Sequence, residues 1–320
     1  GTKLVGTLKK VIAAAGIGKM ISDSLNLGGA LQQSIGGIET LFGAGGRSIE
    51  EYAKSVGKSV DAVKDEYASL MQSQQTVFDN AAQAYRTVGL SANEYMEQTT
   101  SFAASLLSSV SKDTNAAAQL ANMAMVDMAD NANKMGTDMA SIQNAYQGFA
   151  KQNYTMLDNL KLGYGGTKSE MERLLKDAGK ISGVKYNLDN LADVYNAIHV
   201  IQEKLDVTGT TAREASTTFS GSFGAMKSAV KNLLGFMASG GDVEGAMGSV
   251  VETASTFLFK NAVPMVGRVV KALPGAVKTG IKAAAPKIKE SGGEIVKGLK
   301  DGIVSALPSS CLLYTSPSPR

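Results

Sequence analysis

The chain contains a single histidine, His199, so any chemistry that needs an imidazole must take place there. His199 stands between Ile198 and Val200, in a stretch whose apolar spacing predicts a helix. No HExxH motif surrounds it and no cysteine lies nearby, so neither a zinc site nor a Cys–His pair is indicated. A Ser-His-Asp triad would have to be built on this one residue. We expect a partly buried helix residue instead.

A glycine-rich segment, GYGGTKS at residues 163–169, contains the ingredients of a phosphate-binding loop. The P-loop pattern is GxxxxGK[ST] after a buried strand, because its backbone N–H groups must surround the phosphates. Here Thr167 separates Gly166 from Lys168, and no strand is predicted before the segment. The sequence therefore favours the N-cap of a helix over a nucleotide site.

Two carboxylate pairs are candidates for an acid–base couple: Asp127 with Asp130, and Glu170 with Glu172. The first pair adjoins the polar run DNANK at 130–134, which predicts a solvated helix face. Nothing distinguishes the second pair from ordinary surface residues. We therefore predict no catalytic, cofactor-binding or metal-binding residue and no cofactor, and we do not expect an enzyme.

The composition favours a helical structural protein. Aromatic residues make up 6% of the 320 residues, tryptophan is absent, and all six prolines lie from Pro264 onward. Since a proline inside a helix costs about 3 kcal/mol, the proline-free stretch before Pro264 permits helix throughout. A net charge of +3 argues against a dedicated nucleic-acid binder, and no sequence-specific nucleic-acid partner is expected.

Start and stop signals divide this stretch into helices. Residues 43–46, GAGG, predict a stop and hinge, and the helix that starts near 168 is expected to end at Gly179. A further helix starting near 211 is expected to run toward Leu234. Three capping boxes, each with a hydroxyl residue followed three positions later by glutamate, mark helix starts: Ser91 with Glu94, Thr167 with Glu170, and Thr211 with Glu214.

Apolar residues recur at helical spacing in two of these stretches, which predicts buried faces. They are Leu31, Ile35, Ile38 and Phe42, and later Leu188, Leu191, Tyr195, Ile198, Ile201 and Leu205. A methionine cluster could form an adaptable binding surface or ordinary core, and we favour core; its members are Met123, Met125, Met128, Met135 and Met139. The predicted fold class is all-α, with extended helices and helical hairpins, a loose helical bundle in the middle, and little or no β-sheet.

Residues 91–205 resemble the tape measure proteins of siphophage and prophage tails from Gram-positive bacteria. The strings that carry the resemblance are GLSANEYMEQTTSFAASLL, MADNANKMGTDMASIQNAYQGFAKQNYTMLDNLKLGYGGTKSEMERLL and AIHVIQEKLDVTGTTAREAS. GALQQSIGGIETLFG and MKSAVKNLLGFMASGGD also fit, so that the resemblance covers about residues 29–242. The chain shows no sustained heptad repeat and no peptidoglycan-hydrolase motif, features that some members of this family carry.

The resemblance implies a protein whose length sets the length of the tail. Such a protein is made in the bacterial host cytoplasm, lies in the lumen of the tail tube in the virion, and leaves ahead of the DNA at genome ejection. Its implied partners are the tail tube protein, tail assembly chaperones, distal tail or baseplate proteins and other copies of itself, with host membrane contact during ejection. The role depends on length and helicity, so no functional residue is implied.

Four segments follow from these patterns. Residues 1–46 form a Gly/Ala-rich apolar helical segment, residues 47–235 the region most like tape measure proteins, and residues 236–310 a Gly/Ala/Lys-rich helical segment with prolines. Residues 311–320, CLLYTSPSPR, resemble translated sequencing adapter, so the natural sequence is expected to break off near Ser310. The absence of an initiator methionine indicates truncation upstream of Gly1.

A membrane-active helical protein, such as a toxin or a pore-former, is the alternative function. It depends on the Gly/Ala-rich ends of the chain and on lysines that align on one face of a helix expected to break at Pro274 and Pro286: Lys271, Lys278, Lys282 and Lys289. No Trp or Phe anchor follows Phe259, which favours a solvated face. No stretch reaches the roughly 18 apolar residues that a membrane-spanning helix needs.

Overall fold

The computed structural model describes the backbone of residues 17–272 and the side chains of residues 26–268. This part of the chain is helical and contains no strand, which confirms the predicted all-α class. The α-helices are α1 (Ile17–Phe42), α2 (Ile49–Ser55), α3 (Val60–Thr87), α4 (Ala92–Ser109), α5 (Thr114–Met135), α6 (Met139–Phe149), α7 (Lys168–Ser182), α8 (Leu191–Lys204), α9 (Thr210–Thr217), α10 (Phe219–Ser239), α11 (Val243–Ser255) and α12 (Val263–Ala272). A 3₁₀ turn at Leu157–Leu160 and a π-helical segment at Thr256–Ala262 complete the list.

The three predicted capping boxes have three different outcomes. The box at Ser91 is confirmed: its hydroxyl accepts from the Glu94 N–H, and its own N–H donates to the Glu94 carboxylate at 2.9 Å. Thr167 caps α7 as expected, but the Glu170 carboxylate accepts from the N–H of Gly165 instead of closing the box.

The third box, Thr211 with Glu214, is wrong. Helix α9 begins at Thr210, after the N-cap residue Gly209, so Thr211 already lies inside the helix. The expected single helix toward Leu234 is also wrong, because it breaks between α9 and α10. Thr218 adopts an extended backbone there, and its hydroxyl accepts from the Gly221 N–H at 3.0 Å to start α10.

The predicted helix stops are right at one position and wrong at another. Helix α1 ends at Phe42, before the glycines at 43–46, as expected. Helix α7, however, passes through Gly179 and ends at Gly183, whose φ of +74° is the left-handed conformation that terminates helices. Gly179 keeps a helical backbone and a half-buried position opposite the carbonyl of Val184.

One apolar core joins helix α1 and helices α3 to α8. In α1, Leu31, Ile38 and Phe42 are buried and Ile35 is partly buried, which confirms the predicted stripe. The second stripe is confirmed in the helix itself, but Leu205 is 45% exposed because α8 ends one residue before it. The five methionines belong to the core: two are fully buried and three pack against it.

Helices α1 and α10 approach closely through small residues. Gly28 of α1 lies against Ala238 of α10, where an added Cβ would come within 2.4 Å of the Ala238 Cβ. Gly235 of α10 faces Leu31 of α1. Helix α1 therefore packs on the region that follows it, and α10 runs across position 235 without a break.

The C-terminal end of the described region consists of α11, the π-helical segment and α12. Pro264 is the second residue of α12 and follows directly on the wider π turn. Within residues 17–272, no helix is both long enough and apolar enough to span a bilayer. The predictions about Lys278, Lys282 and Lys289, the two later prolines and the segment 311–320 lie outside the described residues.

Candidate functional site

The face of α5 that was predicted to be solvated is buried in part: Asn133 and Lys134 are exposed as expected, but the residues before them are not. Asp127 is 1% exposed, and Asp130 and Asn131 are 0% exposed. Their spacing of three and four places them on one face of α5. Helices α8 and α9 cover this face, so the predicted surface position of Asp127 and Asp130 is wrong.

Asp127 forms an ion pair with the only histidine. The His199 Nδ1 lies 2.8 Å from one carboxylate oxygen of Asp127 and 3.0 Å from the other. The His199 Nε2 lies 3.4 Å from the carboxylate of Glu203, one turn later in α8. The His199 side chain is 26% exposed, which confirms the expected partly buried helix position. The imidazole thus connects a buried carboxylate to the surface.

The surroundings change how both members of this pair bind protons. Burial raises the pKa of Asp127 to about 6, although the hydrogen bond from His199 opposes the rise. The hydrogen bond to Asp127 raises the pKa of His199 above its ordinary value, although burial opposes that rise. The two groups interact directly, so they titrate as a unit.

Asp130 satisfies the backbone of a helix that lies 79 residues further along the chain. One oxygen of its carboxylate accepts from the Gly209 N–H at 2.5 Å, and the other accepts from the Thr211 N–H at 2.7 Å. The first N–H groups of a helix have no partner within the helix, and its N-terminus attracts negative charge. Asp130 therefore caps α9 from α5, and the Asn133 amide donates to the Thr211 hydroxyl at 2.8 Å beside it.

Two buried tyrosines lie near the Asp127–His199 pair: Tyr146 interacts with the charge of Asp127, and the Tyr195 ring packs against Tyr146. The Tyr195 hydroxyl donates to the carbonyl of Tyr146 at 2.9 Å, and the Gln202 amide donates to the Tyr146 hydroxyl at 3.3 Å. Burial raises the pKa of Tyr146 well above its ordinary value, so its phenol stays protonated at neutral pH. Solvent reaches this cluster at His199 and not at Asp127, which suits proton exchange better than contact between Asp127 and a substrate.

The other predicted positions do not join this cluster. The segment 163–169 forms the N-cap of α7, as expected, with the Glu170 N–H donating to the Thr167 hydroxyl at 3.2 Å. The hydrogen bond from Arg173 lowers the pKa of Glu170 to about 2. Glu172 is exposed and contributes to a surface groove of about 510 Å³ along α7, so it forms no couple with Glu170.

The described residues define an all-α protein with a buried carboxylate–imidazole cluster. Among them, no group of three or more His, Cys, Asp or Glu side chains is arranged to hold a metal ion. No protein family, curated protein or solved structure matches the chain.

Proposed function

We propose that the chain is part of a phage tail tape measure protein, a structural protein that sets tail length during assembly of the tail tube. The observation that carries the proposal is the resemblance over residues 29–242. Its three longest strings, residues 89–107, 128–175 and 197–216, include all of α6 and nearly all of α4 and α9. The buried polar cluster is also built from residues of these strings or their immediate neighbour Asp127.

A helical chain suits a ruler because each residue adds about 1.5 Å to a helix. Helices α1 and α3 have 26 and 28 residues, which gives each a length of roughly 40 Å. The bundle folds these lengths back on each other, so a measuring role requires the helices to separate and align along the tube. Contacts built on Ala, Gly and Met bury less area per residue than aromatic packing, which lowers the cost of separation.

In this role the protein is made in the host cytoplasm and occupies the lumen of the tail tube in the virion. Its partners are the tail tube protein, tail assembly chaperones, distal tail or baseplate proteins and further copies of itself. It leaves the tube ahead of the DNA at genome ejection, when it contacts the host membrane.

An in-frame deletion in the genome that encodes the chain tests the proposal. Removal of residues 139–182, which include α6 and α7, should shorten the tails by roughly 66 Å if the residues contribute helical rise. Tail length is measured by electron microscopy of purified particles. The matched control is Lys151→Ala, an exposed substitution in the same region that keeps the number of residues. Tails of parental length from the deletion would contradict the proposal.

A further inference from the structure

The Asp127–His199 pair sits at the contact between α5 and α8, with apolar core residues beside it on both helices. From α8, Ile198 and Ile201 enter the core on either side of His199, and from α5, Met125 and Met128 flank Asp127. A carboxylate in such surroundings is costly unless a cation or hydrogen-bond donor satisfies it. His199 meets both requirements while it carries a proton.

We propose that Asp127 and His199 form a pH-responsive latch, which holds α8 against α5 at weakly acidic pH and loosens as the pH rises through neutrality. This inference does not depend on the proposed function. It concerns the folded bundle itself. The stability of the contact between α5 and α8 should depend on whether His199 and Asp127 are protonated.

The charged groups around the latch also favour a protonated His199. Asp130 of α5 and Glu203 of α8 are the other charged groups that act on Asp127, and both are carboxylates. Tyr146 of α6 faces the pair with a neutral phenol. Loss of the imidazole proton therefore removes the positive charge that balances these carboxylates, and it leaves Asp127 with a weaker, neutral donor.

For both members of the pair, protonation favours the folded state. The pKa of Asp127 rises from 3.8 to about 6 on folding, so folding favours its protonated form, and this advantage is lost as the pH rises through that interval. The pKa of His199 rises from 6.5, so the stability that its charged form provides is lost as the pH rises through the higher value. Both contributions predict a tighter contact at low pH.

The single histidine makes the latch directly measurable. Because the chain has one histidine, the titrating imidazole C–H resonances in its proton NMR spectrum must come from His199 and need no further assignment. We expect a pKa above 6.5 in the wild type and a decrease toward 6.5 in Asp127→Asn. The matched control is Asp206→Asn, at a side chain that is 81% exposed, which should leave the titration unchanged.

Hydrogen exchange then tests whether the proton controls the contact. Between pH 6 and pH 8, opening of α8 should increase relative to α3 in the same molecule, by at most about tenfold per pH unit for one linked proton. Asp127→Asn should remove this difference. The latch is refuted if His199 titrates near 6.5 in both proteins, or if α8 and α3 respond equally to pH in the wild type. The wild-type profile decides the matter even if Asp127→Asn does not fold.

Discussion

The carboxylate of Asp130 accepts a hydrogen bond from the backbone N–H of Thr211 at 2.7 Å, across 81 positions of the sequence. The start of α9 thus depends on a side chain of α5. The N-terminus of α4 has a similar dependence: the side-chain oxygen of Asn232 in α10 accepts from the Ala92 N–H at 2.7 Å. These contacts tie the late helices to the early ones, so that helix ends and tertiary structure must form together.

Replacing Asp130 should destabilise the bundle strongly. Asp130→Ala leaves the half-buried N–H of Gly209 and the buried N–H of Thr211 without their acceptor, and each unsatisfied buried group costs about 1–3 kcal/mol. We expect the free energy of unfolding to decrease by about 2–4 kcal/mol in urea titrations followed by circular dichroism. Asp113→Ala is the control, because Asp113 caps α5 from an exposed position and should cost about 1 kcal/mol. Equal losses in the two variants would contradict the role assigned to Asp130.

A second, independent test is a substitution at Asn232, which caps the N-terminus of α4. Asn232→Ala removes the acceptor for the buried Ala92 N–H and should lower the free energy of unfolding by about 1–3 kcal/mol. Asn115→Ala removes a hydrogen bond to Ser69 between exposed groups and should change it by about 0.5 kcal/mol or less. Thermal and urea unfolding of both variants measure the difference. A loss confined to Asn115→Ala would mean that α10 does not hold α4.

Adjacent glycines in α1 should respond in opposite directions to the same substitution. In Gly28→Ala the new Cβ meets Ala238 at 2.4 Å, so α1 and α10 must move apart, at a cost of about 1–3 kcal/mol. In Gly29→Ala the new Cβ meets nothing within 4 Å, and the helix gains about 0.5–1 kcal/mol. Urea unfolding of the two variants gives the comparison. Similar stabilities would show that α1 and α10 do not pack as described.

The overall stability should also depend on pH through Asp127. Because burial raises the pKa of this carboxyl to about 6, ionising it costs free energy in the folded state only. The free energy of unfolding should decrease by about 1–2 kcal/mol between pH 5 and pH 7. Asp127→Asn should flatten that dependence, as measured by urea titrations at intervals of half a pH unit. A stability that rises over this range in the wild type would contradict the assignment.

Local patterns predicted the helices well where their determinants are local. Leu31, Ile38 and Phe42 lie on one face of their helix whatever the tertiary arrangement. The Ser91–Glu94 capping box forms within one helical turn. Gly179 and Gly183 show the limit of such patterns. Both are glycines near the end of one helix, and only the backbone conformation, set by the packing that follows, decides which of them terminates it.

The polar cluster was missed because its partners are distant in sequence. Asp127 and Asp130 adjoin a run of amides that is typical of a surface, and His199 and Thr211 follow 72 and 81 positions later. A signal was nevertheless present. The preceding stretch AQLANMAMV is apolar on most sides, which is typical of a buried helix, and a carboxylate in a buried helix requires a partner.

The proposed tape measure role requires the number of residues in the protein to set the length of the tail. Its most direct test is a series of phages that carry one, two or three tandem copies of α3, a helix of 28 residues, in the gene that encodes the chain. Electron microscopy should show tails that lengthen by about 42 Å for each added copy, at 1.5 Å per residue. Tails that keep the parental length in all members of the series would contradict the account.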